Sequence, residues 1–240
     1  VRVSQASRNA AFEALEERIV ACERCPELRA YCARVAREKK LAHRNDSYWG
    51  RPVPAFGNAA ARVLLVGLAP GAHGSNRTGR MFTGDASGVW LFRALYRAGF
   101  ASQATQRDRD DGLTLRDATI TAALRCAPPQ NKPTPEQLRR CFPYLVEELA
   151  LMARLRVVIG LGAIGTRAAE TALGAAGFAL ARRHAFAHGA ESIARSGTRE
   201  IVLLSSYHPS RQNTNTGVLT EAMLDAIFAR AGELAAEREG

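Results

Sequence analysis

Four short stretches of this chain are continuously apolar: residues 62–67, 118–124, 157–160 and 201–205. Apolar runs of this length, without alternation, predict strands buried on both faces. The stretches that follow them predict helices over 87–98, 135–153, 163–173 and 217–235, the third of them rich in alanine. Strand and helix thus alternate four times, which predicts an α/β fold with a parallel sheet covered by helices. In such folds ligands bind beyond the carboxyl ends of the strands. The loops after the first and fourth strands are therefore the places to look for chemistry. Ahead of the first strand, residues 11–39 read as helix, broken near Cys22-Glu23-Arg24-Cys25-Pro26. Residues 43–58 are polar and contain proline, and residues 103–112, rich in Arg and Asp, read as a surface excursion.

Length and composition refine this little. A chain of 240 residues predicts one domain over 1–240, and 47% hydrophobic residues supply a core, which excludes a broadly disordered chain. Charge adds more. The chain carries 33 Lys and Arg against 23 Asp and Glu, a formal net charge of +10, and most of the positive residues are Arg. A basic protein attracts polyanions, nucleic acid first and an anionic membrane surface second. Genomic base composition accounts equally well for the arginines taken alone. No apolar run approaches the ~20 residues of a membrane span, and residues 1–11 lack the apolar core of a secretory signal. The expectation is a cytoplasmic protein with no membrane partner. Its five cysteines are then not expected to form structural disulfides, leaving metal binding, redox chemistry or burial.

Three constellations carry candidate chemistry. Cys22 and Cys25 are spaced to reach one metal centre, and Cys126 and Cys141 can close it from another part of the chain. Four thiolates suit Zn²⁺ or a [4Fe–4S] cluster; four buried thiols are the plainer alternative. Cys32 reads as an ordinary helix residue. The second constellation is the loop 67–85, where Gly67, Gly71, Gly74 and Gly79 allow close backbone approach to a ligand. Neither a Walker pattern nor G-x-G-x-x-G is present. Arg77 and Arg80 are candidates for phosphate oxygens, and Phe82 offers a flat apolar face to a base. Asp85 either caps the next helix or orients water and stabilises a cationic sugar. The third is Tyr207-His208-Pro209-Ser210-Arg211-Gln212-Asn213, directly after the fourth strand. There His208 faces the site across from the glycine-rich loop.

Together these features resemble the family 5 uracil-DNA glycosylases, the iron–sulfur class found in bacteria and archaea. The resemblance is carried by Tyr48-Trp49-Gly50-Arg51-Pro52-Val53-Pro54-Ala55-Phe56-Gly57, the loop from Gly67 to Asp85, Arg125-Cys126-Ala127-Pro128-Pro129 and His208-Pro209-Ser210. It runs from Cys22 to about the last helix. It implies a three-layer α/β/α sandwich around a central four-stranded parallel sheet. It also implies a structural [4Fe–4S] cluster on Cys22, Cys25, Cys126 and Cys141, tying an N-terminal helical segment, 8–40, to the core. The implied activity is hydrolysis of the N-glycosidic bond of uracil in DNA, after the nucleotide is drawn out of the stack. The implied partner is DNA containing uracil or other deaminated bases, met by a monomer. The base would stack on Phe82 while backbone amides around Gly71, Ala72 and His73 read its edge, with Asn213 nearby. His208 would stabilise the anionic base, and Asp85 the sugar and the attacking water. Arg77, Arg80, Ser210, Arg211 and Gln212 would contact DNA.

Two departures bear on specificity. Related family 4 enzymes carry a Glu after the first loop glycine, where this chain has Leu68. Relatives often carry an Asn in the second strand, where this chain has Ala122. Without that side-chain reader, discrimination among bases is expected to weaken, admitting hypoxanthine. Two other readings compete. One is a uracil-DNA binding protein with little turnover, suggested by the absent loop carboxylate. The other is a nucleotide-binding α/β module whose loop holds a free phosphate and whose cluster passes electrons.

Overall fold

The computed structural model describes residues 3–181 and 185–236; the predicted 1–240 domain extends beyond them at both ends and includes 182–184. Two helices open the chain, α1 (Gln5–Val20) and α2 (Pro26–Glu38). The break between them falls where expected, because Pro26 lacks an N–H and suits only a helix start. Four strands follow the apolar runs: β1 (Val63–Gly67), β2 (Ala118–Ala122), β3 (Val157–Leu161) and β6 (Arg199–Ser206). They are parallel neighbours in the order β2-β1-β3-β6, with Val63 paired to both Ala118 and Val157, and Val157 paired to Val202.

The sheet has six strands rather than four. Beyond β6 lie β5 (Glu191–Ser196) and β4 (Ala179–Leu180), both joined antiparallel. In β5 only Ala194 is fully buried, so this edge strand lacks the continuous apolar signal that marks the other four.

The remaining helices are α3 (Ser75–Thr78), α4 (Ala86–Arg97), α5 (Pro135–Leu151), α6 (Gly162–Ala175), α7 (Arg211–Asn215) and α8 (Glu221–Ala236). Successive side chains of a strand point to opposite faces, and the core divides accordingly. Leu65, Ile120 and Ile159 pack with Leu91 and Leu95 of α4 and Phe228 of α8. Leu64, Val66 and Val158 pack with Leu145 and Leu149 of α5 and Leu173 of α6. A third cluster joins Leu15, Ile19 and Leu28 of the N-terminal helices to Leu124, Cys126 and Tyr144.

A buried charge fastens these parts together. Arg125, just after β2, is 2% exposed and contacts Glu148 of α5, which is fully buried. Glu148 also accepts a hydrogen bond from Thr121 of β2 at 2.9 Å. Glu16 of α1 lies beside the pair, and burial together with the nearby Glu148 pushes its carboxyl up from 4.5 to about 8. Its Oε2 accepts the Ala55 amide, while the Arg125 carbonyl accepts the Val53 amide at 2.8 Å. α1, the segment 53–55, β2 and α5 thus meet at one ion pair.

Removing Glu148 leaves Arg125 buried and unpaired. Glu148→Ala is expected to lower unfolding free energy by roughly 3–5 kcal/mol, measured by chemical denaturation. Glu16 holds a proton in the folded chain that the unfolded chain releases from about pH 4.5 upward. Its contribution is therefore fully present below that pH, declines as pH rises and is gone above about pH 8. Glu16→Gln should remove this decline from the pH dependence of the denaturation midpoint; an unchanged dependence would refute the assignment.

Candidate active site

The loop from β1 to α4 is shaped around three of the protein's own side chains. A Cβ on Gly67 would lie 2.8 Å from the Phe82 ring, one on Gly79 2.8 Å from the Trp49 ring, and one on Gly74 2.3 Å from Asp85 Oδ2. Gly71 would meet the same carboxylate at 3.1 Å. Most of the small residues expected to admit a ligand therefore also admit the chain to itself. Phe82 has a φ of +52°, a conformation that costs a bulky residue about 1–3 kcal/mol and recurs at functional sites. The surrounding loop imposes this conformation and sets the ring against Gly67 at the end of β1. Among the described residues the Ala72 and His73 amides have no acceptor, so they remain open to a ligand.

Asp85 combines both expected roles. Its Oδ1 accepts the Gly88 amide at 3.0 Å and caps α4, while Oδ2 faces Gly71 and Gly74. Burial raises its carboxyl above the ordinary 3.8, opposed by the Gly88 and Ser87 amides and by the positive charges of Arg211 and Arg77. His208 follows β6, and its ring centre lies 5.7 Å from that of Phe82. Its Cβ sits against Gly162 at the end of β3. Burial alone depresses its imidazole to about 4, so at neutral pH the ring is uncharged, one nitrogen a donor and the other an acceptor. Phe82 and His208 thus meet beyond the carboxyl ends of β1, β3 and β6, and Asp85 lies on the same loop as Phe82.

Several candidates hold the site rather than face it. Arg80 is 4% exposed, gives two 2.8 Å hydrogen bonds to Asp111 and lies over Phe56. It is not available to phosphate, which corrects the expectation for it. Arg77 donates to the carbonyls of His73 and Gly84 and to Asp46, so it braces both ends of the loop. Ser210 caps α7 by accepting the Asn213 amide, and Asn213 Nδ2 donates to the His208 carbonyl at 2.9 Å. Only Arg211 and Gln212 of that group stand exposed. His73 Nδ1 meets the Tyr48 hydroxyl at 3.0 Å.

Gln106 went unnoticed in the sequence. Its Oε1 accepts the Gly84 amide and its Nε2 donates to the Asp85 carbonyl at 3.2 Å. With Asp111, it makes the supposed surface excursion a clasp on the Asp85 loop. The Arg and Asp content of 103–112 was legible, but pairing across more than twenty residues leaves no local pattern.

Cys22, Cys25, Cys126 and Cys141 line one narrow cavity, about 10 Å³, between α2, the loop after β2 and α5. All the cysteines are free thiols. Burial pushes the Cys25 and Cys141 thiols up, the latter to about 11, against the positive charges of Arg140 and Arg125. Among the described residues no three His, Cys, Asp or Glu side chains form a group that holds a single ion. Cys32 is a buried residue of α2, and its Sγ donates to the Ala127 carbonyl at 3.6 Å. No helix among the described residues is long and apolar enough to cross a membrane.

Residues 54–232 match the model of the uracil DNA glycosylase superfamily. The chain is 48% identical over 223 residues to the type-5 uracil-DNA glycosylase of Thermus thermophilus, covering 93% of this chain and 98% of that protein. It is 44% identical over 220 residues to the type-5 enzyme of Pyrobaculum aerophilum, covering 92% of each. The type-4 uracil-DNA glycosylase of the same organism is more distant, 30% identical over 164 residues, 68% of this chain and 66% of that protein.

The Gln106 clasp has a direct readout. Gln106→Ala should release the Gly84 amide and speed hydrogen exchange at residues 83–86, with exchange in β3 unchanged. Protection at 83–86 equal to wild type would show that the clasp does not hold the loop.

Proposed function

Because the chain belongs to the type-5 uracil-DNA glycosylases of the uracil DNA glycosylase superfamily, we propose that this site hydrolyses the N-glycosidic bond of uracil in DNA. The observation that carries the reading is the approach of a buried, neutral His208 to the Phe82 ring, on the loop that also carries the buried carboxylate of Asp85. A target nucleotide leaves the stack at a cost of a few kcal/mol, and its base lies against Phe82, with the open Ala72 and His73 amides at its polar edge. Breaking the bond leaves a cationic, oxocarbenium-like sugar and an anionic base. His208 donates a hydrogen bond to the anion; with its pKa near 4 it does so without carrying a charge of its own. Asp85 in its ionised form stabilises the sugar and draws a proton from the attacking water, a task that a raised pKa favours. Arg211 and Gln212, exposed beside the site, meet the DNA.

The proposal extends to other deaminated bases, hypoxanthine among them. Ala122 packs in the same cluster as Phe82 and offers no polar atom to a base edge, and Leu68 offers no carboxylate. A site that reads the base edge with backbone amides but no matching side chain discriminates less sharply.

It also assigns a structural [4Fe–4S] cluster to Cys22, Cys25, Cys126 and Cys141. The donor set fits: four soft ligands line one cavity between the N-terminal helices, the loop after β2 and α5. When bound, such a group cross-links the N-terminal helices to the loop after β2, with no part in bond cleavage.

Single-turnover release of base from oligonucleotides containing uracil or hypoxanthine tests the activity. Asp85→Asn should slow release about 10²–10³-fold, and Ala122→Asn should raise the ratio of uracil to hypoxanthine rates. The rate should fall on acidification along a limb above the ordinary aspartate value of about 3.9, and that limb should persist in His208→Asn. Absence of release by folded wild-type protein would leave a uracil-DNA binder instead. The cluster predicts iron and acid-labile sulfide in equal amounts in protein purified without oxygen, both lost in Cys141→Ala. Stoichiometric zinc, or no metal, would overturn it.

A further inference from the structure

A second cavity, about 560 Å³, opens behind the Asp85 loop, between the segment 46–51 and residues 107–110. Trp49 forms its most rigid wall. The indole Nε1 donates to the Pro52 carbonyl at 3.0 Å, the Trp49 amide to the Arg77 carbonyl at 2.8 Å, and the ring lies against Gly79. Two guanidinium groups gather on this ring, Arg51 at 4.2 Å and Arg109 at 4.5 Å from its centre. Both residues are exposed. Among the described residues neither has an ion-pair partner, whereas Asp46 is held by Arg77 and Asp108 by Arg107. Asp110 is the one remaining carboxylate lining the cavity.

We propose that Arg51 and Arg109, held on the Trp49 ring, form a phosphate-binding subsite for the DNA strand that flanks the extruded nucleotide. Two like charges collected on one aromatic face repel each other and are relieved by an anion. A guanidinium placed on a ring keeps N–H groups for phosphate oxygens. Arg77 ties the cavity to the catalytic loop, since it lines the cavity and donates to the carbonyl of Gly84, next to Asp85. Arg109 also lies three residues from Gln106, which grips the Asp85 carbonyl. A strand lying across this ring would therefore press on both supports of the catalytic loop. The identity of the strand rests on the glycosylase reading; the affinity of the subsite for a phosphate backbone does not.

The test uses the full chain and measures its affinity for an undamaged duplex and for a uracil-containing duplex over a range of salt concentrations. Abolishing one phosphate-binding guanidinium should reduce the slope of log affinity against log salt by about 1. Arg51→Gln with Arg109→Gln should therefore reduce the slope by about 2 and weaken binding several-fold, on both duplexes. Arg51→Lys with Arg109→Lys should retain most of the slope, which separates charge from a packing role. Should the double variant fail to fold, Arg109→Gln alone should reduce the slope by about 1. A slope equal to wild type in the folded glutamine variants, or an equal reduction in the lysine variant, would overturn the subsite. If wild-type protein releases no base, the glycosylase reading fails while the salt slope on the undamaged duplex still judges the subsite.

Discussion

Arg125 is a fixed positive charge with almost no contact with water, and much of this architecture follows from the need to satisfy it. Isolated in an apolar interior, such a charge would be prohibitively costly. The chain answers with Glu148 from α5, set by Thr121 of β2, and with a protonated Glu16 from α1. The net charge of the group is then close to zero. Alignment is incomplete, for Arg125 Nε and Nη1 and Glu16 Oε1 have no hydrogen-bond partner. A buried pair of this kind adds little stability over an apolar substitute, while losing one member is strongly destabilising. Its consequence is positional: Cys126, the next residue, and Cys141, two turns before Glu148 on the same face of α5, are brought to one cavity with Cys22 and Cys25.

The catalytic loop obeys a second constraint, that a reactive carboxylate be both buried and fixed. Capping α4 gives Asp85 one anchored oxygen, and the missing side chains of Gly71 and Gly74 give the other oxygen its space. Loops of this length are ordinarily mobile, so the support comes from elsewhere. Arg77 joins the two ends, Arg80 locks onto Asp111, and Gln106 holds the backbone on either side of the Gly84–Asp85 bond. The positive φ of Phe82 is tolerated within this frame. Preorganisation of this kind lets a charge act on a transition state without moving first.

The arginines divide into distinct populations. Arg77, Arg80 and Arg125 face inward and act as braces with carboxylate or carbonyl partners. Arg51, Arg109 and Arg211 stand exposed around the site. Others close surface pairs, such as Arg97 with Asp225 and Arg140 with Glu136, which contribute little individually. The net charge of +10 is therefore a poor measure of the surface offered to DNA. Which guanidinium groups remain open decides that surface.

The four parallel strands, the break before Pro26 and the positions of Asp85 and His208 were legible in the sequence. Each is written in local terms: a continuous apolar run, a proline that only a helix start accepts, a capping carboxylate before a helix, a histidine just after a strand. The antiparallel pair β4–β5 was not, because an edge strand half-exposed to solvent carries no continuous apolar signal. Arg80 was read outward and lies inward, since its partner Asp111 sits thirty-one residues away. Gln106 and Cys32 were hidden for the same reason, their partners being distant in the chain. By itself, then, the sequence determined the elements, their order and the residue types at the strand ends. Which polar groups are satisfied by the protein and which are left for a ligand was decided only by tertiary structure, because that depends on pairings between segments that no local pattern encodes.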